Sequence, residues 1–359
     1  MKISIYLLLL TACLLNACKK GDIPVFCVDV EHTGTSQLSE ARTDLAAAGA
    51  GTKIAFAGGR NEFGVNSSKV DIYDISTGNW SVANLSIARR ELAATSAGGK
   101  LFFAGGWNAD NTIYTRVDIY DVAANSWSVA ELSQPRFKLA AAAAGNKVMF
   151  AGGYINTSLT QYSSTVDIYD ISTDTWTTAQ LSQARSTLAG AATGNKILFA
   201  GGYASSTVDI YDVISDSWSV DQLSEARREL AGSAVLNKFV FAGGIPNLLP
   251  NTNRVDIYDA NTDSWSTAQL SQKRSQLASG KLWDRLFFAG GTGLSDVVDI
   301  YNATDNTWTT SGLSEARSNP AAASAGTTLL IGGGWVGGSS VSKTVDIFSL
   351  VSCADRTRQ

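Results

Sequence analysis

Short apolar runs separated by turn residues alternate along this chain in a unit that recurs seven times. Each unit contains an alanine-rich run, a run of large apolar residues ended by A-G-G, a V-D-I-Y-D run of alternating polarity and a T-x-x-W run. Short runs of this kind bounded by turn residues are typical of strands. Because helical periodicity is absent from residues 38 to 350, each unit predicts a four-stranded antiparallel sheet.

A pair of glycines marks the same point in every unit. The pairs are Gly58-Gly59, Gly105-Gly106, Gly152-Gly153, Gly201-Gly202, Gly243-Gly244, Gly290-Gly291 and Gly332-Gly333. Their spacing of about 42 to 49 residues lies in the range of propeller blades. Four-stranded units repeated in this way arrange around an axis, with a central channel and short, protected edges. The sequence therefore predicts an all-β, seven-bladed propeller as one domain over residues 26–355.

The last unit is incomplete. It stops after Val345-Asp346-Ile347-Phe348 and has no T-x-x-W run. An N-terminal strand ending at Leu38 can supply the missing fourth strand. We therefore expect the seventh blade to be closed by the beginning of the chain.

The repeated residues resemble the kelch repeat, which is marked by the double glycine, an aromatic residue in the third strand and a tryptophan a few residues later. Six units carry the tyrosine, at Tyr73, Tyr120, Tyr169, Tyr211, Tyr258 and Tyr301, and the seventh has Phe348. Six carry the tryptophan, at Trp80, Trp127, Trp176, Trp218, Trp265 and Trp308. The resemblance implies a kelch propeller, but this fold supports unrelated functions.

The N-terminal 17 residues read as a secretory signal peptide. Lys2 is followed by an apolar run that ends at Leu15, too short for a permanent membrane span. Leu15-Asn16-Ala17-Cys18 resembles a bacterial lipobox, which implies cleavage before Cys18, lipidation of its thiol and a linker over 18–25. We expect a lipoprotein of the bacterial cell envelope that is anchored in the outer membrane. The sequence leaves open whether it faces the periplasm or the cell surface. Plain secretion is the alternative.

Two cysteines, Cys27 and Cys353, then remain in the mature chain. Counted against the repeat, both fall in one turn of the closing blade. Thiols left over in an exported protein usually pair. We predict a disulfide that closes a loop of more than 300 residues, stabilising the fold by about 4–5 kcal/mol on the chain-entropy model.

Composition excludes several functions. The formal net charge is −4 with no long run of one sign, so we expect no nucleic-acid partner. His32 is the only histidine, and we expect it to be structural or exposed rather than catalytic. The chain therefore lacks a zinc set, a Ser-His-Asp set and the two histidines of the copper site in galactose oxidase, which is a kelch propeller. We expect no cofactor and no metal.

An arginine precedes the alanine-rich run of every unit: Arg42, Arg89, Arg136, Arg185, Arg227, Arg274 and Arg317. Seven equivalent positions would form a ring near one mouth of the channel, and guanidinium groups bind carboxylates or phosphates bidentately. Alternatively, a residue present in every blade serves every blade, by bonding turn carbonyls or an aspartate of V-D-I-Y-D. The sequence leaves both interpretations open, and the arginines are candidate ligand-binding residues.

A second set of candidates lies where the repeat varies. Two residues after each arginine stand Asp44, Glu91, Lys138, Thr187, Glu229, Gln276 and Asn319. After the glycine pairs stand Arg60, Trp107, Tyr154, Tyr203, Ile245, Thr292 and Trp335. In the kelch fold these loops open on one face, so we expect a shallow, asymmetric pocket in which Arg60 and the four aromatic residues bind ligand. Free drift of loop residues is the alternative.

The sequence favours a monomeric, non-catalytic binding protein, tethered to the envelope by lipid alone, that presents this face to a glycan or a protein. A second hypothesis is a sugar mutarotase or epimerase resembling the periplasmic sialic-acid mutarotases, with Glu91 or Glu229 transferring the proton. A third is a structural envelope scaffold, which a flat and uncharged loop face would favour.

Overall fold

A computed structural model describes residues 28–247 and 250–352. These residues form seven four-stranded antiparallel sheets and two short two-stranded ribbons. No helix long and apolar enough to cross a membrane occurs in this part of the chain. The signal peptide, the linker, Cys18 and the pair Cys27 and Cys353 lie outside the described residues, so lipidation and the disulfide stay predictions.

The first blades follow the chain order. Strand β1 (Val28–Gln37) precedes them. The first four blades, from the innermost strand outwards, are β2 (Ala46–Ala50), β3 (Lys53–Ala57), β4 (Lys69–Asp74) and β5 (Asn79–Asn84); β6 (Ala93–Ala97), β7 (Lys100–Ala104), β8 (Arg116–Asp121) and β9 (Ser126–Glu131); β10 (Ala140–Ala144), β11 (Lys147–Ala151), β12 (Thr165–Asp170) and β13 (Thr175–Gln180); β14 (Ala189–Thr193), β15 (Lys196–Ala200), β16 (Thr207–Asp212) and β17 (Ser217–Gln222).

The last three blades include the two ribbons. The fifth has the ribbon strands β18 (Arg227–Arg228) and β21 (Ile245–Pro246) beside β19 (Ala231–Val235), β20 (Lys238–Ala242), β22 (Arg254–Asp259) and β23 (Ser264–Gln269). The sixth consists of β24 (Ala278–Leu282), β25 (Arg285–Ala289), β26 (Val297–Asn302) and β27 (Thr307–Gly312). The seventh has the ribbon β30 (Trp335–Gly337) and β31 (Ser340–Val341) beside β28 (Ala321–Ala325), β29 (Thr328–Gly332) and β32 (Thr344–Ser352).

Strand β1 is the outermost strand of the seventh blade, hydrogen bonded to β32. This confirms the predicted closure by the beginning of the chain. The innermost strands pack against one another in succession, and β28 packs against β2, so the blades form a closed circle. The seven-bladed, all-β propeller predicted from the sequence is confirmed.

The innermost strands are rich in small residues because they converge on the axis. A Cβ atom built on Gly49 would lie 2.3 Å from the carbonyl oxygen of Ser324 in the neighbouring blade. The second strands are buried on both faces, which explains their continuous apolar runs. Within β11, Met149 packs into the cluster shared with the fourth blade, whereas Phe150 packs into the cluster shared with the second. The hydrophobic core therefore lies between blades.

The seven arginines lie inside the blades rather than along the channel mouth. Each is at most 1% exposed, and its guanidinium group pairs with the aspartate of V-D-I-Y-D in its own blade. The pairs are Arg42–Asp71, Arg89–Asp118, Arg136–Asp167, Arg185–Asp209, Arg227–Asp256, Arg274–Asp299 and Arg317–Asp346. The seven guanidinium groups therefore do not form an exposed ring, because the positive charge of each is compensated by the aspartate of its own blade.

The aspartate of each pair also holds the loop that leads into the blade. In the third blade, Asp167 Oδ1 accepts the N–H of Ser133 at 2.8 Å, and Arg136 Nη1 donates to the carbonyl of Gly152 at 2.8 Å. The repeated L-S-x-A-R run therefore forms a loop that is hydrogen bonded both to the third strand and to the turn after the second strand. His32 adds to the last of these sites, its Nε2 hydrogen bonding with Asp346 Oδ1 at 2.9 Å.

The glycine pair joins neighbouring blades. Gly106 donates its N–H to the carbonyl of Arg136 in the next blade at 2.8 Å, while Gly105 has φ = 65° and a Cβ there would lie 2.4 Å from that carbonyl oxygen. Only glycine fits such an approach. In the seventh blade the structural equivalents are Gly333 and Gly334, one residue later than the sequence interpretation, because Gly332 still belongs to β29.

Candidate functional site

Each blade is introduced by four residues that we call the lead-in segment. It consists of the buried arginine, a rim residue, a pocket residue and a leucine, which is replaced by Pro320 in the seventh blade. The rim residue pairs through its backbone with the residue after the glycine pair, as Arg90 does with Trp107. The lead-in segments and these loops therefore share one face of the propeller, the loop face.

The pocket residues form a hydrogen-bonded circle around the axis. All have a left-handed backbone, with φ between 48° and 57°: Asp44, Glu91, Lys138, Thr187, Glu229, Gln276 and Asn319. From the second blade on, the N–H of each donates to the carbonyl of the preceding one at 3.0–3.2 Å. Between the seventh and first blades, the side chain of Asn319 donates to that of Asp44. Such a conformation costs roughly 1–3 kcal/mol for most residues and points to a functional site.

Inside this circle lies a pocket of about 610 Å³. Its wall is formed by the pocket residues, and the leucines of six lead-in segments lie beneath them. Three carboxylates and two cations line it, namely Asp44, Glu91, Glu229, Arg60 and Lys138. A polar, asymmetric wall over an apolar base is typical of a site for a small molecule or a side chain.

Lys138 links two carboxylates across the pocket. Its Nζ lies 3.5 Å from Glu91 Oε1 and 3.9 Å from Glu229 Oε1. Burial opposes the charge of Lys138, but the combined field of Glu91, Glu229 and Asp44 outweighs it and raises the pKa of the lysine. Gln276 completes the group by donating to Glu229 Oε2 at 3.1 Å.

Glu91 is a pocket carboxylate whose surroundings raise its pKa. Burial raises its pKa, Asp44 adds to the shift, and Lys138 and a hydrogen bond from Trp107 oppose it. That bond runs from the indole Nε1 to Glu91 Oε2 at 2.7 Å. On the other side of the circle, Arg60 Nε donates to Asp44 Oδ2 at 2.6 Å. Two of the three pocket carboxylates, Asp44 and Glu91, are thus oriented by a donor from a variable loop.

An aromatic arc runs along the rim from the second to the fourth blade. Neighbouring ring centroids lie 5.2 to 5.6 Å apart along Trp107, Phe137, Tyr154, Tyr162 and Tyr203. An arginine stands at each end of it. The guanidinium carbon of Arg90 is 4.2 Å from the Trp107 ring centre, and that of Arg228 is 5.3 Å from the Tyr203 ring centre.

The model of one protein family, described as the KLHDC2/KLHL20/DRC7 Kelch-repeats domain, matches residues 44–234. The match covers more than half of the chain and includes the first four blades. The chain belongs to the kelch-repeat family. Kelch propellers commonly mediate binding, typically of protein partners. No curated protein matches the sequence at a significant level.

The candidate residues occupy different parts of this kelch propeller. Arg60 and Trp335 line the pocket, as do the alternative catalytic residues Glu91 and Glu229, whereas Trp107 lies on the rim. Tyr203 and Trp335 are 45% and 38% exposed, whereas Tyr154 is 6% exposed between its aromatic neighbours. The seven buried arginines, one in each lead-in segment, do not line the pocket.

Four residues of the site escaped the sequence interpretation: Arg90, Phe137, Tyr162 and Arg228. Three of them occupy the rim position, directly after the buried arginine of the kelch lead-in segment. A signal existed, because the rim position also varies between blades: Thr43, Arg90, Phe137, Ser186, Arg228, Ser275 and Ser318. Tyr162 lies in the longest variable loop and carried no pattern.

Proposed function

We propose that this kelch propeller is a non-catalytic binding protein that holds part of a protein or a glycan in its loop-face pocket. The observation that carries the proposal is the contrast between frame and site. The arginine is present in every lead-in segment and the leucine in all but the last, while the rim and pocket residues between them differ among the blades. A symmetric fold with one asymmetric pocket suits an asymmetric ligand.

The chemistry of the pocket supports a polar ligand with an apolar face. The carboxylates Asp44, Glu91 and Glu229 accept hydrogen bonds, and the leucines and aromatic arc offer apolar contact. Hydroxyl groups on a sugar ring, or the amides and side chains of a peptide, meet both demands. Arg90 and Arg228 add positive charge at the two ends of the arc, which suits an acidic ligand.

The direction of the closing strands supports attachment through the N-terminus. Leu38 donates its N–H to the carbonyl of Lys343 on the loop face, at 2.7 Å. Leu350 donates to Thr327, in the turn between β28 and β29, at 3.1 Å. The first and last strands therefore reach the face opposite to the pocket. A monomer tethered by lipid at Cys18 to the bacterial envelope would leave the loop face free, and mass spectrometry of the membrane fraction tests the lipid.

The proposal is tested by screening the full-length protein on a glycan array and by cross-linking it to envelope proteins, followed by titration with the purified ligand. We expect Tyr203→Ala and Lys138→Ala to weaken that binding at least about tenfold. Ile214→Ala is the matched control, because Ile214 is 82% exposed in the turn between β16 and β17 on the opposite face. Equal losses in all three variants, or no ligand from either screen, would contradict the proposal.

The raised pKa of Glu91 favours a second candidate, a sugar mutarotase. A general acid works best when its pKa lies near the operating pH, and burial moves that of Glu91 in this direction. Anomer exchange of sialic acid followed by NMR tests it. Acceleration by the protein that is lost in Glu91→Gln or Glu229→Gln would establish catalysis. The scaffold hypothesis called for a flat, uncharged loop face, which the charged pocket does not provide.

A further inference from the structure

A lysine occupies the innermost strand of the sixth blade where the other blades have the smallest side chains. Lys281 in β24 is equivalent to Gly49, Ser96, Ala143, Ala192, Ala234 and Ser324. It lines the channel cavity of about 230 Å³ and also a second cavity of about 410 Å³, at the channel mouth opposite to the loop face. Among the described residues that line these two cavities, Lys281 is the only charged one.

The Lys281 ammonium has no anionic partner among the described residues. The Lys281 side chain is exposed to the channel, but the surrounding strands still desolvate it in part and lower its pKa, and no carboxylate offsets this effect. The nearest charged residues in its own hairpin, Asp284 and Arg285, pair with each other. A cation that is partly desolvated and uncompensated is unfavourable by itself and attracts an anion.

A second departure from the repeat lies at the same mouth. Trp283 follows in the turn after β24, with φ = 58° and 67% of its surface exposed. Five other blades have a glycine at this left-handed position: Gly51, Gly98, Gly145, Gly194 and Gly326. A left-handed backbone costs roughly 1–3 kcal/mol for a residue other than glycine, so the backbone at this position favours glycine over tryptophan.

We propose that this mouth is a second ligand site, in which Lys281 binds the carboxylate of a small monocarboxylate and Trp283 covers its apolar part. One ammonium balances one negative charge, and no other cation lines the described cavity to compensate a phosphate dianion. Ser324 lines both cavities together with Lys281, and its hydroxyl group is a further hydrogen-bond donor for a carboxylate there. Val235, Leu282 and Ala325 make the rest of the wall apolar.

Titration of the full-length protein with benzoate tests the site. We expect benzoate to bind and to raise the pKa of Lys281, which NMR of the Lys281 Nζ measures. The uncharged isostere benzamide should neither bind nor change this pKa. Lys281→Met should weaken benzoate binding about tenfold or more, the worth of a hydrogen bond to a charged group, and Lys281→Arg should retain it. Methionine removes a desolvated charge and fills a similar volume, so the variant should melt no lower than the wild type.

Trp283→Gly introduces the glycine that five other blades have at this position and separates the two parts of the site. We expect it to weaken benzoate binding, to leave acetate binding unchanged and to preserve the fold. Equal affinity of the wild type and Lys281→Met for benzoate, preference for inorganic phosphate, or absence of benzoate binding would overturn the proposal. An unchanged benzoate affinity in Trp283→Gly would overturn the role of the tryptophan. None of these outcomes bears on the loop-face pocket, because the two sites lie at opposite mouths.

Discussion

Trp107 holds Glu91 in place, donating its indole N–H to Oε2 of the carboxylate at 2.7 Å. The tryptophan belongs to the loop after the glycine pair and the glutamate to the lead-in segment of the same blade. The guanidinium group of Arg90 lies over the Trp107 ring. A variable loop therefore orients a pocket carboxylate and lowers its proton affinity, against the larger effect of burial.

Replacing Trp107 by phenylalanine should raise the pKa of Glu91 further, because the hydrogen bond that lowers it is lost while burial stays. The ring contact with Phe137 should persist. Carbon-13 NMR titration of the Glu91 carboxyl measures the shift. Trp335→Phe is the control, since the Trp335 indole donates to the carbonyl of Gly338 within its own loop. A Glu91 pKa that is unchanged in Trp107→Phe would contradict this role.

Breaking one buried ion pair should destabilise the propeller strongly. Arg136→Met leaves Asp167 charged inside the third blade, and removal of one partner of a buried pair costs about 3–5 kcal/mol. Lys147→Met in the same blade breaks the partly exposed pair of Lys147 and Asp170, which is 2.8 Å long, and should destabilise the fold far less than Arg136→Met.

Thermal or denaturant unfolding of the two variants tests this difference. If Arg136→Met unfolds like the wild type but loses an acidic ligand, the arginines act in binding after all. The structural role also had a signal in the sequence. Every unit that carries the arginine carries the first aspartate of V-D-I-Y-D, and an aspartate flanked by buried apolar residues needs a cation.

The blades could be predicted because the pattern of small, apolar and alternating runs reflects burial that is the same in every unit. The aromatic arc could not, because it depends on contacts between loops of different blades. Trp107 contacts Phe137 of the third blade, Tyr162 of the third blade contacts Tyr203 of the fourth, and nothing in the repeat places these rings together. Such contacts depend on the conformation of each variable loop, which the repeat does not specify.

Two tyrosines of the arc should respond differently to substitution. Tyr203→Ala removes an exposed ring and should spare stability, with less than about 1 kcal/mol lost. Tyr154→Ala removes a buried ring that stacks on Phe137 at 5.3 Å, and should cost about 3 kcal/mol. Melting curves recorded beside binding titrations distinguish them. Loss of ligand binding in Tyr203→Ala at an unchanged melting temperature is the expected result, and the reverse would place the ligand elsewhere.

The stability of the propeller should fall at alkaline pH because of the tyrosine in the third strand. Burial, together with a hydrogen bond to Asp174 at 2.6 Å and the charge of that aspartate, raises the pKa of Tyr169 to about 12 from 10.0. A pKa raised by folding stabilises the native state fully below the unfolded value. The contribution of Tyr169 is therefore present below pH 10 and is lost as the pH rises towards 12.

Asp174→Gly isolates this effect, because the first blade already has a glycine, Gly78, at the same left-handed position. The variant removes the hydrogen-bond acceptor and its charge, so the pKa of Tyr169 should fall towards its ordinary value. The backbone strain at φ = 55° should fall too. The difference in tyrosinate absorbance between the variant and the wild type reports on Tyr169. The Trp176 ring, whose centre lies 5.1 Å from that of the Tyr169 ring, should keep its environment. Identical alkaline titrations of the two proteins would show that Asp174 does not govern Tyr169.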